Sequence, residues 1–368
     1  MLNFQTSYMT ASSPNLDNWL ILAAIGLVTL ATLRRGASGE PALVREQTDQ
    51  VKGLAILLVV LGHLWVHVAH PKAWLVMSGE AVAVFLMLSG YGLTCSFLDK
   101  SPAWGAFIAR RVRRVMVPYW IITVMILGLD YLILDRTYPA GQVALTLLGI
   151  NITPLTQNLD YVRWFVTFLL VWYVLFALTF SWLRPRLALL ALLVCAHGVM
   201  MLEYYVLHVG WYHHFAFVAG CSLAYRRPGL RRLARRHPAG TVVLGLVGLA
   251  GFGVVKYFLP VIKAKAPSSL AGLAVGEINS LVFGLSILAL AAWAGRAGWS
   301  SRFLLFCGAV SYELFLLHGP FLVKYNPVFH LAQSPPNTWS LPLAFGLLLA
   351  GLLVVAAGLQ KVIRRVNL

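Results

Sequence analysis

The sequence predicts an all-α fold, a polytopic integral membrane helical bundle. Three observations predict it. Of 368 residues, 60% are hydrophobic and only 11% are charged, whereas soluble domains carry about a quarter charged residues. The mean hydropathy is +0.78. Basic residues fall in short runs between long apolar stretches, as in loops held on the cytoplasmic side of a membrane. A net charge of +17 elsewhere suggests nucleic acid. Distributed in this way it suggests topology, and no nucleic-acid partner is expected.

A spanning helix needs roughly 20 mostly apolar residues. Eleven candidates lie near 19–33, 54–70, 77–97, 115–134, 161–181, 187–206, 212–225, 241–260, 276–294, 303–325 and 339–359. Residues 1–18 lack the basic leader of a signal peptide, so 19–33 reads as a retained helix. The apolar stretch 142–153, before Pro154, is too short to span and reads as interfacial or re-entrant. Ser334, Pro335 and Pro336 read as loop. With alternate loops assigned to the cytoplasm from 34–52 onward, all but seven of the 29 Lys and Arg lie on that side. The exceptions are Lys72, Arg136, Arg163, Lys256, Lys263, Lys265 and Lys324. The N-terminus is then extracytoplasmic and the C-terminus cytoplasmic. Cys95, Cys195, Cys221 and Cys307 form no paired motif and read as small hydrophobes.

Ionisable groups inside apolar spans are functional candidates. Lys52 and His63 share one helix, eleven residues or roughly 16 Å apart. Lys52 thus lies at the membrane surface and His63 near its middle, where a neutral imidazole suits general-base work. A packing histidine is the competing reading. His67, one turn on, shares the face of His63, a spacing open to zinc or haem. Beside Trp65 and Pro71, however, His67 and His70 read as interfacial, as do His208, His213 and His214. Glu313 and His318 fall within another span and with His63 make a candidate acid–base cluster; structural pairing between helices competes. Glu80, Asp130, Asp135, Asp160, Glu203 and Glu277 collect toward the outer side. Arg110, Arg111, Arg113 and Arg114 are four arginines in five residues, more than topology needs. They suit a phosphate-rich cofactor such as coenzyme A; lipid headgroups are the alternative. The six-arginine run at 226–237 reads as an anchor.

These residues resemble the acyltransferase 3 family of membrane O-acyltransferases. Four features match in order: Lys52 to His63; Val84-Phe85-Leu86-Met87-Leu88-Ser89-Gly90-Tyr91; Arg111-Val112-Arg113 with Pro118-Tyr119; and Ser311-Tyr312-Glu313-Leu314-Phe315-Leu316-Leu317-His318. Trp164-Phe165 continuing to Tyr173, and Phe217-Val218-Ala219-Gly220, are weaker echoes. The resemblance covers about residues 48–360. It implies about ten core spans plus one extra N-terminal span, with residues 1–47 an added helix and linker and 48–368 the acyltransferase domain. Family members often carry an acidic or amide residue where Ala83 stands, and Glu80 is one turn earlier.

The resemblance further implies transfer of an acyl group, usually acetyl, from cytoplasmic acyl-CoA to a hydroxyl of a glycan or other saccharide-containing acceptor. The setting is the bacterial inner membrane and its lipids, with no metal. Lys52, Arg110, Arg111, Arg113 and Arg114 are the expected cofactor-binding residues. His63 is the expected base, with Glu313, Glu80 and His318 as catalytic partners. A transporter or flippase of a lipid-linked saccharide or metabolite is the alternative.

Overall fold

The computed structural model describes residues 9–36, 43–100, 103–152, 159–207, 213–265, 270–328 and 340–366. His208, Pro154 and the Ser334–Pro336 loop lie outside the described residues. The first half of the bundle contains α1 (Pro14–Ala31), α2 (Arg45–His67), α3 (Ser78–Lys100), α4 (Trp104–Leu134), α5 (Ala140–Leu147), α6 (Trp164–Trp182) and α7 (Pro185–Leu202). The second half contains α8 (His214–Tyr225), α9 (Arg227–Arg236), α10 (Pro238–Lys265), α11 (Leu270–Arg296), α12 (Arg302–Ala309), α13 (Ser311–Gly319) and α14 (Leu341–Val366). Single π-helical stretches continue α7 over Glu203–Leu207 and α13 over Pro320–Tyr325. Among the described residues, nine helices are long and apolar enough to cross a membrane.

Two expected spans take other forms. The stretch 303–325 is two helices, α12 and the α13 arm, bent by 66° at Val310. The stretch 212–225 yields only the 12-residue α8, about 18 Å long and shorter than the ~30 Å hydrocarbon layer. The short segment after residue 139 forms the eight-residue α5. Cys221 and Cys307 are buried, Cys95 and Cys195 partly exposed, and all four are free thiols.

Lipid supplies no hydrophobic drive between helices, so close backbone approach at small residues binds them. Gly90 and Gly220 interlock α3 with α8. A Cβ on Gly90 would strike the Phe217 carbonyl, and one on Gly220 the Met87 carbonyl. Gly53 of α2 and Gly308 of α12 meet in the same way, against the Leu304 and Asp49 carbonyls. Two of the sequence motifs therefore fix helix crossings as well as carrying chemistry.

Helix α1 buries only Asn18, Ile21 and Ile25, yet both its ends are tied to the bundle. Before it, β1 (Met9–Thr10) pairs in parallel with β3 (Ala69–His70). After it, β2 (Leu33–Arg35) pairs antiparallel with β4 (Trp299–Ser301). Asn18 accepts a 2.8 Å hydrogen bond from the buried Trp65 indole and donates to the Leu75 carbonyl. The added helix thus holds the end of α2 just beyond His63.

The glycine contacts predict a graded stability series. Gly90→Val and Gly220→Val must displace backbone and should cost more than the ~1–3 kcal/mol of ordinary overpacking. Both should lose folded yield and lower the Tm of the detergent-solubilised protein. Gly128→Ala, with nothing within 4 Å of the new Cβ, should leave Tm within a few degrees of wild type.

Candidate functional site

The helix α2 carries Lys52 and His63 on one rigid rod. Near its start lies a cavity of about 760 Å³. Among the described residues, Arg45 and Lys52 of α2, Arg111 and Arg114 of α4, and Arg364 of α14 line it, with Asp49 and Glu313 as the carboxylates. Asp49 pairs with Lys52 at 2.9 Å and with Arg45 at 3.7 Å. Arg111 lies over the Phe107 ring at 5.5 Å. Residues 111, 114 and 118 fall at helical spacing and share one face of α4. Arg110 and Arg113 do not line the cavity; both are exposed. Of the four arginines expected to act together, Arg111 and Arg114 line the cavity. Arg114 is exposed as Arg110 and Arg113 are, and its side chain nevertheless reaches the cavity.

The inner end of the cavity is apolar. Phe165 of α6 and Phe315 of α13 line it and meet with ring centroids 5.2 Å apart. Both are buried. Immediately behind Phe315, at 5.5 Å between rings, is His318. The two phenylalanines form a partition between the basic cavity and the histidines.

His63 and His318 are joined directly, with His63 Nδ1 2.7 Å from His318 Nε2 and the ring planes within 7°. His318 is fully buried, and its Nδ1 is 2.6 Å from the Phe315 carbonyl. That carbonyl can only accept, so His318 Nδ1 carries the proton and Nε2 accepts. His63 Nδ1 must then donate, which leaves the lone pair on His63 Nε2. A base oriented by a second group that is itself anchored is the arrangement general-base catalysis requires. The 2.7 Å nitrogen separation is that of a hydrogen bond, too close for two imidazoles on one zinc at Zn–N about 2.0–2.1 Å each.

The carboxylates fall elsewhere. Glu313 faces the cavity, beside Gln360 and Arg364, one turn and more before His318. Glu80 accepts from Lys256 at 2.6 Å. Among the described residues neither carboxylate bonds to His63, whose side-chain partner is His318. Glu203 and Glu277 clamp His214 at 2.7 Å on each side. Asp130 accepts from Lys324, Tyr138 and Tyr325 at 2.6–2.7 Å. His213 and His214, expected at an interface, are buried.

Three residues of this region escaped sequence reading. Arg45 and Arg364 look like ordinary topological charges, and only the packing of α14 against α13 brings Arg364 to the cavity. Tyr161 lies in a turn before α6, where no period singles it out. Its ring is edge-on to His63 at 5.5 Å and 3.9 Å from the His67 ring.

A family model described as an acyltransferase domain, that of acyltransferase 3, matches residues 46–360. The chain belongs to the acyltransferase 3 family. No curated protein and no solved structure matches. This acyltransferase therefore holds its His63–His318 pair inside the matched region, while α1 precedes it. Membership favours transfer chemistry over the transporter reading.

The tautomer assignment is measurable. In ¹⁵N-histidine-labelled acyltransferase, neutral His63 should carry its proton on Nδ1. His318→Ala should remove that preference and lower turnover by about 10-fold or more, a part of the roughly 10²–10⁴-fold that a positioned general base contributes.

Proposed function

We propose that this acyltransferase moves an acyl group, most simply acetyl, from acyl-CoA to a hydroxyl of a saccharide-containing acceptor. The observation that carries the reading is one continuous path. A basic cavity ends on Phe315, and Phe315 touches the imidazole that orients His63. Coenzyme A presents phosphates joined to a long, largely uncharged arm ending in the thioester. Five cations around the cavity suit the phosphates, because charge-assisted hydrogen bonds to guanidinium are the strong ones. The cavity's size lies within the usual range for small-molecule sites, about 300–1,000 Å³. The aromatic inner wall suits the arm.

On this reading Arg111, Arg114, Arg364 and Lys52 hold the phosphates, with Arg45 at the rim. The basic end faces the cytoplasm, where acyl-CoA is made, and the membrane is the bacterial inner membrane. The arm displaces the Phe165–Phe315 contact and brings the thioester to His63. The Nε2 lone pair takes the acceptor's hydroxyl proton as the oxygen attacks. Arg110 and Arg113, exposed on α4 and outside the cavity lining, take the anionic headgroups of surrounding lipid.

The test is acyl transfer by purified protein in nanodiscs, with radiolabelled acetyl-CoA and a panel of saccharide acceptors. His63→Ala should lose about 10²-fold or more in kcat. Arg111→Ala and Arg364→Ala should raise KM for acetyl-CoA several-fold, and Arg110→Ala should change it less than two-fold (~0.4 kcal/mol). Turnover by His63→Ala close to wild type would remove the assignment. So would equal effects of Arg110 and Arg111 substitution.

A further inference from the structure

The buried hydroxyl of Tyr161 has no hydrogen-bond partner among the described residues. Leaving a phenol in that state costs free energy, typically about 1–3 kcal/mol. The position is nonetheless tightly built. Asp160 accepts from the Val162 amide at 3.1 Å and packs on Gly319, where any Cβ would strike its carboxylate. Gly319 directly follows His318, so the turn 160–163 is seated on the backbone of the histidine pair. Arg163, in the same turn, is fully buried. It pairs with the Asp160 carboxylate at 3.4 Å, donates to the Thr123 hydroxyl and lies over the Tyr119 ring, with its Nη2 unpartnered among the described residues. The fold therefore sets the Tyr161 ring, with its hydroxyl unpartnered among the described residues, against the rings of His63 and His67.

We propose that the Tyr161 hydroxyl is the donor that stabilises the oxyanion formed during acyl transfer. The assignment rests on the function proposed above. As the acceptor oxygen bonds to the thioester carbon, its proton passes to His63 Nε2. The carbonyl π pair moves onto oxygen, and Tyr161 O–H donates to that negative oxygen. Collapse restores the carbonyl and breaks the carbon–sulfur bond. The departing coenzyme A thiolate takes the proton back from His63. A neutral phenol suits this role because it gives a hydrogen bond without a charge that would bind the ground state equally well.

Tyr161→Phe is the decisive variant, because it keeps the ring against His63 and His67 and removes only the hydroxyl. Full-length protein in nanodiscs is loaded with acetyl-CoA carrying ¹³C at the carbonyl, and the thioester stretch is read by infrared difference spectroscopy. Coenzyme A release is followed with octyl glucoside as the acceptor probe. Wild type should show the carbonyl band shifted to lower frequency than free acetyl-CoA. Tyr161→Phe should lose that shift and about 10²-fold in kcat, with KM for acetyl-CoA within two-fold. An unchanged band together with unchanged kcat in Tyr161→Phe would overturn the Tyr161 assignment alone. Failure of wild type to bind acetyl-CoA would overturn the donor reading, and this assignment with it.

Discussion

The hydrogen bond between His63 and His318 joins α2 to α13, and much of the site's arrangement follows from it. Such a bond in a low-dielectric interior is strong when every member is satisfied and costly when one is not. Here the Phe315 carbonyl satisfies the far end, which fixes both tautomers. The 66° bend between α12 and α13 sets α13 against α2. The glycine crossing at Gly53 and Gly308 sits just before that bend and holds α12 on α2. The added helix α1 secures the far end of α2 through Trp65. Two rigid elements are thus held at both ends around one pair of nitrogens.

The two ends of the bundle differ in how charge is treated. In the basic cavity the cations outnumber the carboxylates and several remain available to a ligand. At the opposite end the buried charges are internally paired. Asp130 holds Lys324, Glu80 holds Lys256, and two glutamates hold His214. Removing one member of such a pair strands the other, at about 3–5 kcal/mol. These pairs serve cohesion between helices. Among the described residues, unpaired cations collect at the arginine-lined cavity, whereas the buried Arg163 is paired with Asp160.

The helices were legible because lipid imposes a simple rule of about 20 apolar residues per crossing. The rule misled at 303–325, where hydropathy is continuous but the backbone turns at Val310; apolar composition does not report a bend. It also misled at 212–225, where the helix is short. That His63 and His318 lie within the bundle could be read from their presence in apolar runs, but their direct bond could not, because the pairing joins residues 255 positions apart in sequence. Glu313 looked like the natural partner of an imidazole on charge grounds. Its place on α13, more than a turn before His318, turns it to the cavity instead. The helical period could not have separated Arg114 from Arg110, which lie four residues apart on one face; only the packing around the cavity distinguishes them. No local pattern marks Tyr161, whose meaning comes entirely from the seat that Gly319 provides.

The phenylalanine partition has a consequence for the membrane as an insulator. A protein with ionisable groups at one face, imidazoles at mid-depth and paired carboxylates toward the other face has the parts of a proton wire. Connected by water, they would short-circuit the gradient on which a cell's energy supply depends. Two apposed benzene rings offer no proton acceptor. Phe165 and Phe315 therefore place an apolar contact between the basic cavity and His318, a step that no proton can take on the rings themselves.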